Sequence, residues 1–522
     1  MVSEDPILSE GRSAGALPVE PLVCAVTLEL DRPSLSDNRG DRERLLDALD
    51  RALPGRWRLP LAVLRRLGGL LRAQDWRAVA LVHRESGLVL DVRLPGPQRV
   101  WGLAVDLGTT TVAAQLVDLT DGKALGRASS LNEQIARGDD LLTRIAWADR
   151  EGGLADLSRR AARSIGNLAN RLATTAGGTP ADICAAVVAG NTVMTQLLLG
   201  LDPAAISREP YLPAANAPEP VAAAELRLGL FPRAPVWCLP NVGSFVGGDV
   251  LAGVLSSGMH REEAVSLFVD VGTNGELVLG GADWLVAAAG AAGPAFEGGV
   301  VKHGMRAAPG AVEHLTIDPA TRRVSYRTLG GEPARGLCGS GLIDAVAELF
   351  LSGVVDRTGR FREGEEFVLV SADQTADGRA ITLDETDLRN FLRTKAGMHA
   401  AVELALARVG LAAADLAHVY LAGAIANYVD VAQAVNIGLL PDLPPERFVP
   451  LGNASLEGAR LALVSHQARR ELEDIRGRVS YLELNAESGF MELFSAALFL
   501  PHTDEGRFPS VRERLAARRG TS

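Results

Sequence analysis

The chain has 522 residues, 47% hydrophobic and 22% charged; this is a globular composition on a length that one compact core does not cover, so two to four domains are expected. Its 53 Lys and Arg against 64 Asp and Glu leave a net charge of −11, which argues against wrapping a phosphate backbone and sets nucleic acid aside as a partner. The start Met1-Val2-Ser3-Glu4-Asp5 is acidic and no uncharged apolar run approaches about 18 residues, so neither a secretory leader nor a membrane partner is expected and the chain reads as cytoplasmic.

In chain order, residues 1–17 read as a flexible lead-in of Gly, Ser, Pro and acidic residues. Residues 18–100 read as a small α+β module: a strand at Val23–Leu30, helices at Asp41–Leu53 and Leu59–Arg72, strands at Ala78–Val82 and Leu88–Leu94, and a closing Pro95-Gly96-Pro97 turn. Beyond Trp101 the chain becomes rich in Gly and Ala. Apolar runs at Leu103–Asp106, Ala185–Ala189, Ser266–Asp270 and Val419–Ala422 alternate with helical stretches at Ala155–Ala176, Val246–Leu255, Leu342–Leu351 and Asp387–Val409. This alternation predicts α/β layering. Arg512, Arg514, Arg518 and Arg519 are expected to form a short, solvated basic tail.

Cys24, Cys184, Cys238 and Cys338 are too widely separated for the close C-x2-C spacing of zinc or iron–sulfur sites, and the eight histidines show no H-x-x-x-H pair. No structural metal is assigned. Cys338, in a glycine turn with no His or Lys beside it in sequence, reads as a small packed residue. The glycines around it, Gly339-Ser340-Gly341, suit either an anion-binding helix start or a tight strand-to-helix turn.

One pattern occurs twice. Ala104-Val105-Asp106-Leu107-Gly108-Thr109-Thr110-Thr111 is echoed by Phe268-Val269-Asp270-Val271-Gly272-Thr273-Asn274-Gly275-Glu276, each an apolar strand ending in Asp-x-Gly-Thr and resuming as a second strand. Glycine at such a tip lets the backbone approach a phosphate, N–H groups and Thr hydroxyls supply donors, and a carboxylate holds hydrated Mg²⁺. A single copy is equally an ordinary β-turn; two copies at strand ends point to a pair of loops clamping a triphosphate between two lobes. Walker A and G-x-G-x-x-G sequences are absent.

These features resemble the actin, sugar kinase and Hsp70 (ASKHA) superfamily. Val246–Leu255 is similar to its first connecting helix, Val419–Asn427 to its adenosine motif, and Gly452–Ala459 to its second connecting helix. Five further segments narrow the match: Gly190-Asn191-Thr192-Val193-Met194, Ala292–Gly298, Gly304–Ala307, Leu337–Asp344 and Ala497–His502. With Pro33-Ser34-Leu35-Ser36-Asp37-Asn38, they resemble the ATP-dependent reductive activators of corrinoid proteins along nearly the whole chain.

The resemblance implies an α/β, two-lobed actin-like ATPase with ribonuclease H-like duplicated lobes, at 101–265 and 266–522, preceded by the small α+β domain. It implies Asp249 as the residue positioning attacking water, with Asp106 and Asp270 facing each other across a cleft and holding Mg²⁺ through water. ATP contacts are implied at Gly108, Thr109, Thr110, Thr111, Gly272, Thr273, Asn274, Gly275, Gly423, Ala424, Asn427, Gly452 and Asn453. The implied partners are a corrinoid protein of a methyltransferase system and a low-potential electron donor, and a homodimer stays open. Members commonly carry a [2Fe-2S] ferredoxin domain; the four scattered cysteines here offer no cluster site, so such a cluster is implied only for a domain outside this sequence. Ala424-Ile425-Ala426 also stands where relatives often have Gly-Phe-Gly, and its Cβ atoms narrow the purine side. Two rival readings stay open on the same fold, a small-molecule kinase with Asp249 as general base and a binding module that does not hydrolyse ATP.

Overall fold

The computed structural model describes residues 17–272, 275–290, 299, 301–423, 426, 428–484 and 487–520. The chain divides into two compact units, Gly15–Ala252 with Ser455–Arg476, and Gly253–Ala454 with Gly477–Ser522.

The first unit opens with the small module: β1 (Val23–Glu29), α1 (Asp41–Ala52), α2 (Leu61–Ala73), β2 (Arg77–His83) and β3 (Leu88–Arg93). The strands form an antiparallel sheet in the order β1-β2-β3. Leu45 and Leu49 of α1 and Leu67 and Leu71 of α2 recur at the four-residue spacing of one helical face and join the sheet's core. The Ser34–Asn38 segment is fixed by charge. Asp37 accepts from Arg39 and from the fully buried Arg44, at 2.9 and 2.7 Å, and these guanidinium groups hold its carboxyl well below the usual carboxylate range.

There follow β4 (Trp101–Leu107), β5 (Thr111–Asp118), β6 (Ala124–Leu131), α3 (Leu141–Ala148), α4 (Gly153–Thr175), β7 (Ile183–Ala189), α5 (Thr192–Leu199), β8 (Val221–Ala222), β9 (Pro235–Cys238) and α6 (Gly248–Ser257). Their sheet runs β6-β5-β4-β7-β9-β8. β4 pairs antiparallel with β5 and parallel with β7, so β4 and β7 are central, and the sequence shows it as near-continuous apolar runs. α6 begins two residues later than its apolar pattern suggests. Val242–Val246 closes a turn, and the Asn241 side chain accepts from the Gly248 N–H at 3.0 Å, placing the helix start there.

The second unit contains β10 (Ser266–Val271), β11 (Gly275–Gly280), β12 (Leu285–Gly290), β13 (Ala311–Ile317), β14 (Val324–Thr328), β15 (Gly336–Leu337), α7 (Gly339–Leu351), β16 (Glu366–Val370), β17 (Ile381–Asp384), α8 (Glu385–Arg408), β18 (Val419–Ala422), α9 (Val431–Asn436) and β19 (Phe448–Gly452). α10 (Ala454–Val464) and most of α11 (His466–Arg478) return the chain to the first unit. β20 (Val479–Tyr481), α12 (Phe490–Ala497) and α13 (Pro509–Gly520) complete the second. The main sheet of this unit runs β19-β18-β10-β11-β12-β20. The order β6-β5-β4-β7-β9 thus recurs as β12-β11-β10-β18-β19 with the same parallel and antiparallel pairings, the duplication expected of the ASKHA fold.

Several details differ from the sequence pattern. α7 starts at Gly339, because Cys338 occupies the N-cap and the turn leads directly from β15. Cys338 itself is buried, its thiol 3.2 Å from the Val312 carbonyl. The expected solvated tail is instead a docked helix, α13: Arg518 pairs with the buried Glu348 at 3.0 Å, and Arg514 donates to the Asn436 side chain at 2.6 Å. A run of arginines reads as solvent-facing until the buried carboxylate that receives one of them is known. Among the described residues, no helix is long and apolar enough to cross a membrane.

Helix crossing in the first unit depends on Gly458 in α10, where a Cβ would overlap the backbone of Ala252 in α6. Gly458→Ala is expected to lower stability by about 1–3 kcal/mol through forced separation of the two helices. Thermal melting checks this, and an unchanged midpoint would show that the crossing has slack.

Candidate functional site

In the first unit the β4–β5 hairpin closes at the Leu107–Val112 pair, leaving Gly108–Thr111 as its tip. Three carbonyls of this tip are tied back by protein donors. Asn132 donates its side-chain amide to Gly108 O (2.9 Å) and its backbone N–H to Thr110 O (2.9 Å), while Arg144 donates to Thr109 O (2.6 Å). A trans peptide directs each following N–H away from the carbonyl, so anchoring one face of the loop orients the amides of residues 109–111 toward the other. The Thr109 hydroxyl accepts from Asn191 at 3.1 Å, and Asn191 in turn caps α5 by accepting from Met194 N–H at 3.0 Å. Arg144 is fully buried and also reaches Gln134 Oε1, Met194 Sδ and Gly138 O, so this loop rests on a fixed guanidinium.

The carboxylates gather beside this loop. Asp106 lies near the end of β4, in register with Ala189 of β7. Ser455, at the start of α10, donates its hydroxyl to Asp106 Oδ1 at 2.9 Å. Asp249 lies in the first turn of α6 and is half-buried. Desolvation, and then the negative charge of Asp106, hold its carboxyl above the usual carboxylate range, against the lowering effect of the Val250 N–H that donates to it at 2.9 Å. Raised proton affinity of this kind is common at functional sites. Asp106 and Asp249 are therefore brought together with Thr109, Thr110 and Thr111.

In the second unit Asp270 ends β10, in register with Ala422 of β18 and Glu276 of β11. Gly423 adopts φ 94° directly after β18, and a Cβ there would crowd Asp270 Oδ1 and the Val271 carbonyl; only glycine lets the turn approach the carboxylate this closely. Its N–H donates to the carbonyl of Gly452, itself at φ 64°, so the turns after β18 and β19 are stitched together just before Asn453 and α10. Gly272 and Gly275 flank the hairpin tip. Thr273, Asn274, Ala424, Asn427 and the 292–298 motif lie outside the described residues.

Asn132, Arg144, Asn191 and Ser455 support the first loop, and none was a candidate site residue from sequence. Asn191 and Ser455 sit inside recognisable motifs and could have been found from them. Asn132 and Arg144 carry no local signal, since their role exists only through contacts with residues 24 and 35 positions away.

Sequence profiles of the RACo linker region, the RACo middle region and the C-terminal ASKHA domain of RACo match residues 13–98, 101–262 and 264–512. The chain is 31% identical over 416 residues to a corrinoid activation enzyme, RamQ, of Eubacterium limosum, covering 76% of this chain and 69% of that protein. It is 28% identical over 260 residues to a [Co(II) methylated amine-specific corrinoid protein] reductase of Methanosarcina barkeri, covering 45% of each. A solved reductive activator for corrinoid, iron-sulfur protein superposes with a TM-score of 0.88 at 42% identity, covering 95% of this chain and 82% of that one. With three successive profile matches and these relatives, the chain belongs to the RACo family of reductive activators of corrinoid proteins.

Proposed function

We propose that this protein reactivates a corrinoid protein of a methyltransferase system by assisting reduction of its cobalt from Co(II) to Co(I), coupled to ATP. The observation that carries this reading is the 42% identical, 95% coverage match to a reductive activator, with a TM-score of 0.88. The working division is a small α+β domain at 18–100, a first lobe at 101–265 and a second at 266–522. The electron comes from a separate low-potential donor or from a ferredoxin domain.

Residues 108–111, residues 272–275, Gly423 and Gly452-Asn453 are the proposed nucleotide contacts. Asp249 in its deprotonated form accepts a proton from attacking water, and Ser455 orients Asp106. The hard oxygen donors of Asp106 and Asp270 suit Mg²⁺, which would neutralise phosphate charge when bound. Nucleotide binding that differs in strength between conformational states shifts the protein toward the state favouring its corrinoid partner, and linkage requires each ligand to change the other's affinity by the same factor. Removing an axial ligand from Co(II) makes it easier to reduce, and hydrolysis resets the complex.

The test is the cobalt spectrum of a Co(II) corrinoid protein under anaerobic low-potential reductant. Co(I) should accumulate only when this protein and ATP are both present, and ATP turnover should rise on adding the corrinoid protein. Asp270→Ala should abolish both effects with the fold intact. Identical spectra in every combination would overturn the reading, and turnover on a sugar without any corrinoid effect would favour a kinase.

A further inference from the structure

We propose that a basic groove beside α4 docks an extended acidic segment of a partner protein. The groove has a volume of about 930 Å³ and is lined entirely from residues 150–229, within the first unit. Along α4, Ala155, Ala162 and Gly166 fall at helical spacing; Ala155 is exposed, while Ala162 is buried and Gly166 lies against the Leu228 carbonyl, so the 225–229 turn packs directly on the helix and closes one side of the groove. Arg159 and Arg163 rise from the same helix, with half or more of each side chain exposed. Across the groove the 225–229 turn presents Arg227, a non-glycine residue at φ 56°. Such conformations cost free energy and persist where the surroundings hold them, often at ligand clamps.

The charge balance here runs against the rest of the molecule. Arg150, Arg159, Arg163 and Arg227 all line the groove, whereas Glu225 is the single carboxylate among its described lining residues, in a chain of net charge −11. Neighbouring acids offset part of this: Glu133 pairs with Arg163 at 3.1 Å. Asp156 is shared by Arg137, Arg160 and, at 3.9 Å, Arg159, so three guanidinium groups divide one carboxylate. The surplus suits carboxylates, which guanidinium forks bind in bidentate fashion. A single-stranded nucleic acid fits less well, because no aromatic ring stands among the described lining residues to stack a base and the net charge repels a polyanion. The inference concerns how a protein partner is held and stands independently of the nucleotide site.

The experiment uses the full chain and a fluorescein-labelled decaglutamate peptide, followed by anisotropy. Affinity should fall about tenfold between about 50 and about 200 mM salt, since exposed charges are screened. Arg159→Glu with Arg227→Glu should weaken binding by about tenfold or more, whereas Arg65→Glu with Arg77→Glu, the same change of net charge on the small module, should leave it within about twofold. If the Arg227 change lowers the melting temperature, Arg159→Ser with Arg163→Ser replaces it and should weaken binding by about threefold. Unchanged binding in the groove variants would overturn the proposal. Equal losses in groove and control variants would overturn it too, as general charge attraction, and so would an oligothymidylate of the same length binding as tightly through the same arginines.

Discussion

Asp249→Asn is expected to cut ATP turnover by about 100-fold or more, the scale of a lost general base, while nucleotide binding persists. The replacement keeps the size of the side chain and removes the proton acceptor beside Asp106. Stability should respond in a way that a merely structural residue would not reproduce. In the nucleotide-free protein burial and Asp106 disfavour the charge of Asp249, so it keeps its proton to higher pH than an unfolded aspartate, which loses it near about pH 4. Above about pH 4 the folded state holds a proton that the unfolded chain has lost, so stability falls as pH rises toward the raised folded value, by at most about 1.4 kcal/mol per pH unit. The Asn variant should lose that contribution. Steady-state turnover and melting across pH 5–8 test both halves, and turnover within about threefold of the parent would remove Asp249 from the mechanism.

Lys395→Met is expected to be the most destabilising single change outside the site. Lys395 is fully buried in α8, and its ammonium donates to the carbonyls of Ala497, Phe499 and Pro501 at 2.6, 2.8 and 2.6 Å. Burial pushes its pKa well below the ordinary lysine value, yet three acceptors match the three N–H bonds of the protonated form. Methionine fills the volume and leaves three carbonyls without that donor, at a cost of about 3–5 kcal/mol. The signature is faster hydrogen exchange across 497–503 together with a lower first melting transition; unchanged exchange there would show that the segment is held by other contacts. Acid should act on the same region. His399 is pushed well below its ordinary value by burial and then by Lys395, and His502 is lowered too. The unfolded chain takes up these protons below about pH 6.5 and the folded chain resists, so stability should fall as pH drops through that value.

The tandem Asp-x-Gly-Thr strands, the order of the motifs and the alternation of layers were legible in the sequence because each depends on near neighbours. A hairpin tip is set by residues two to five apart, and a buried central strand reads as one apolar run. Helix ends were less legible. α6 starts where the Asn241 side chain meets Gly248 N–H, and α7 extends back through Gly339-Ser340-Gly341 despite their low helix propensity, since Cys338 takes the N-cap on leaving β15.

Local chemistry along the chain thus marked the two Asp-x-Gly-Thr hairpins, the wide spacing of the thiols and the family resemblance. Tertiary structure decided which groups act on one another. Ser455 reaches Asp106 across 349 residues of sequence, Arg144 supports Thr109 from a helix with no distinguishing pattern, and Asp249 owes its proton affinity to burial and to a carboxylate on another element. The arginines of α13, expected in solvent, meet Glu348 and Asn436 instead. The reason is common to all of these: a side chain's charge and reach are written in its own residue type, but its dielectric surroundings and partners exist only once sheet order and helix crossings have brought distant segments together.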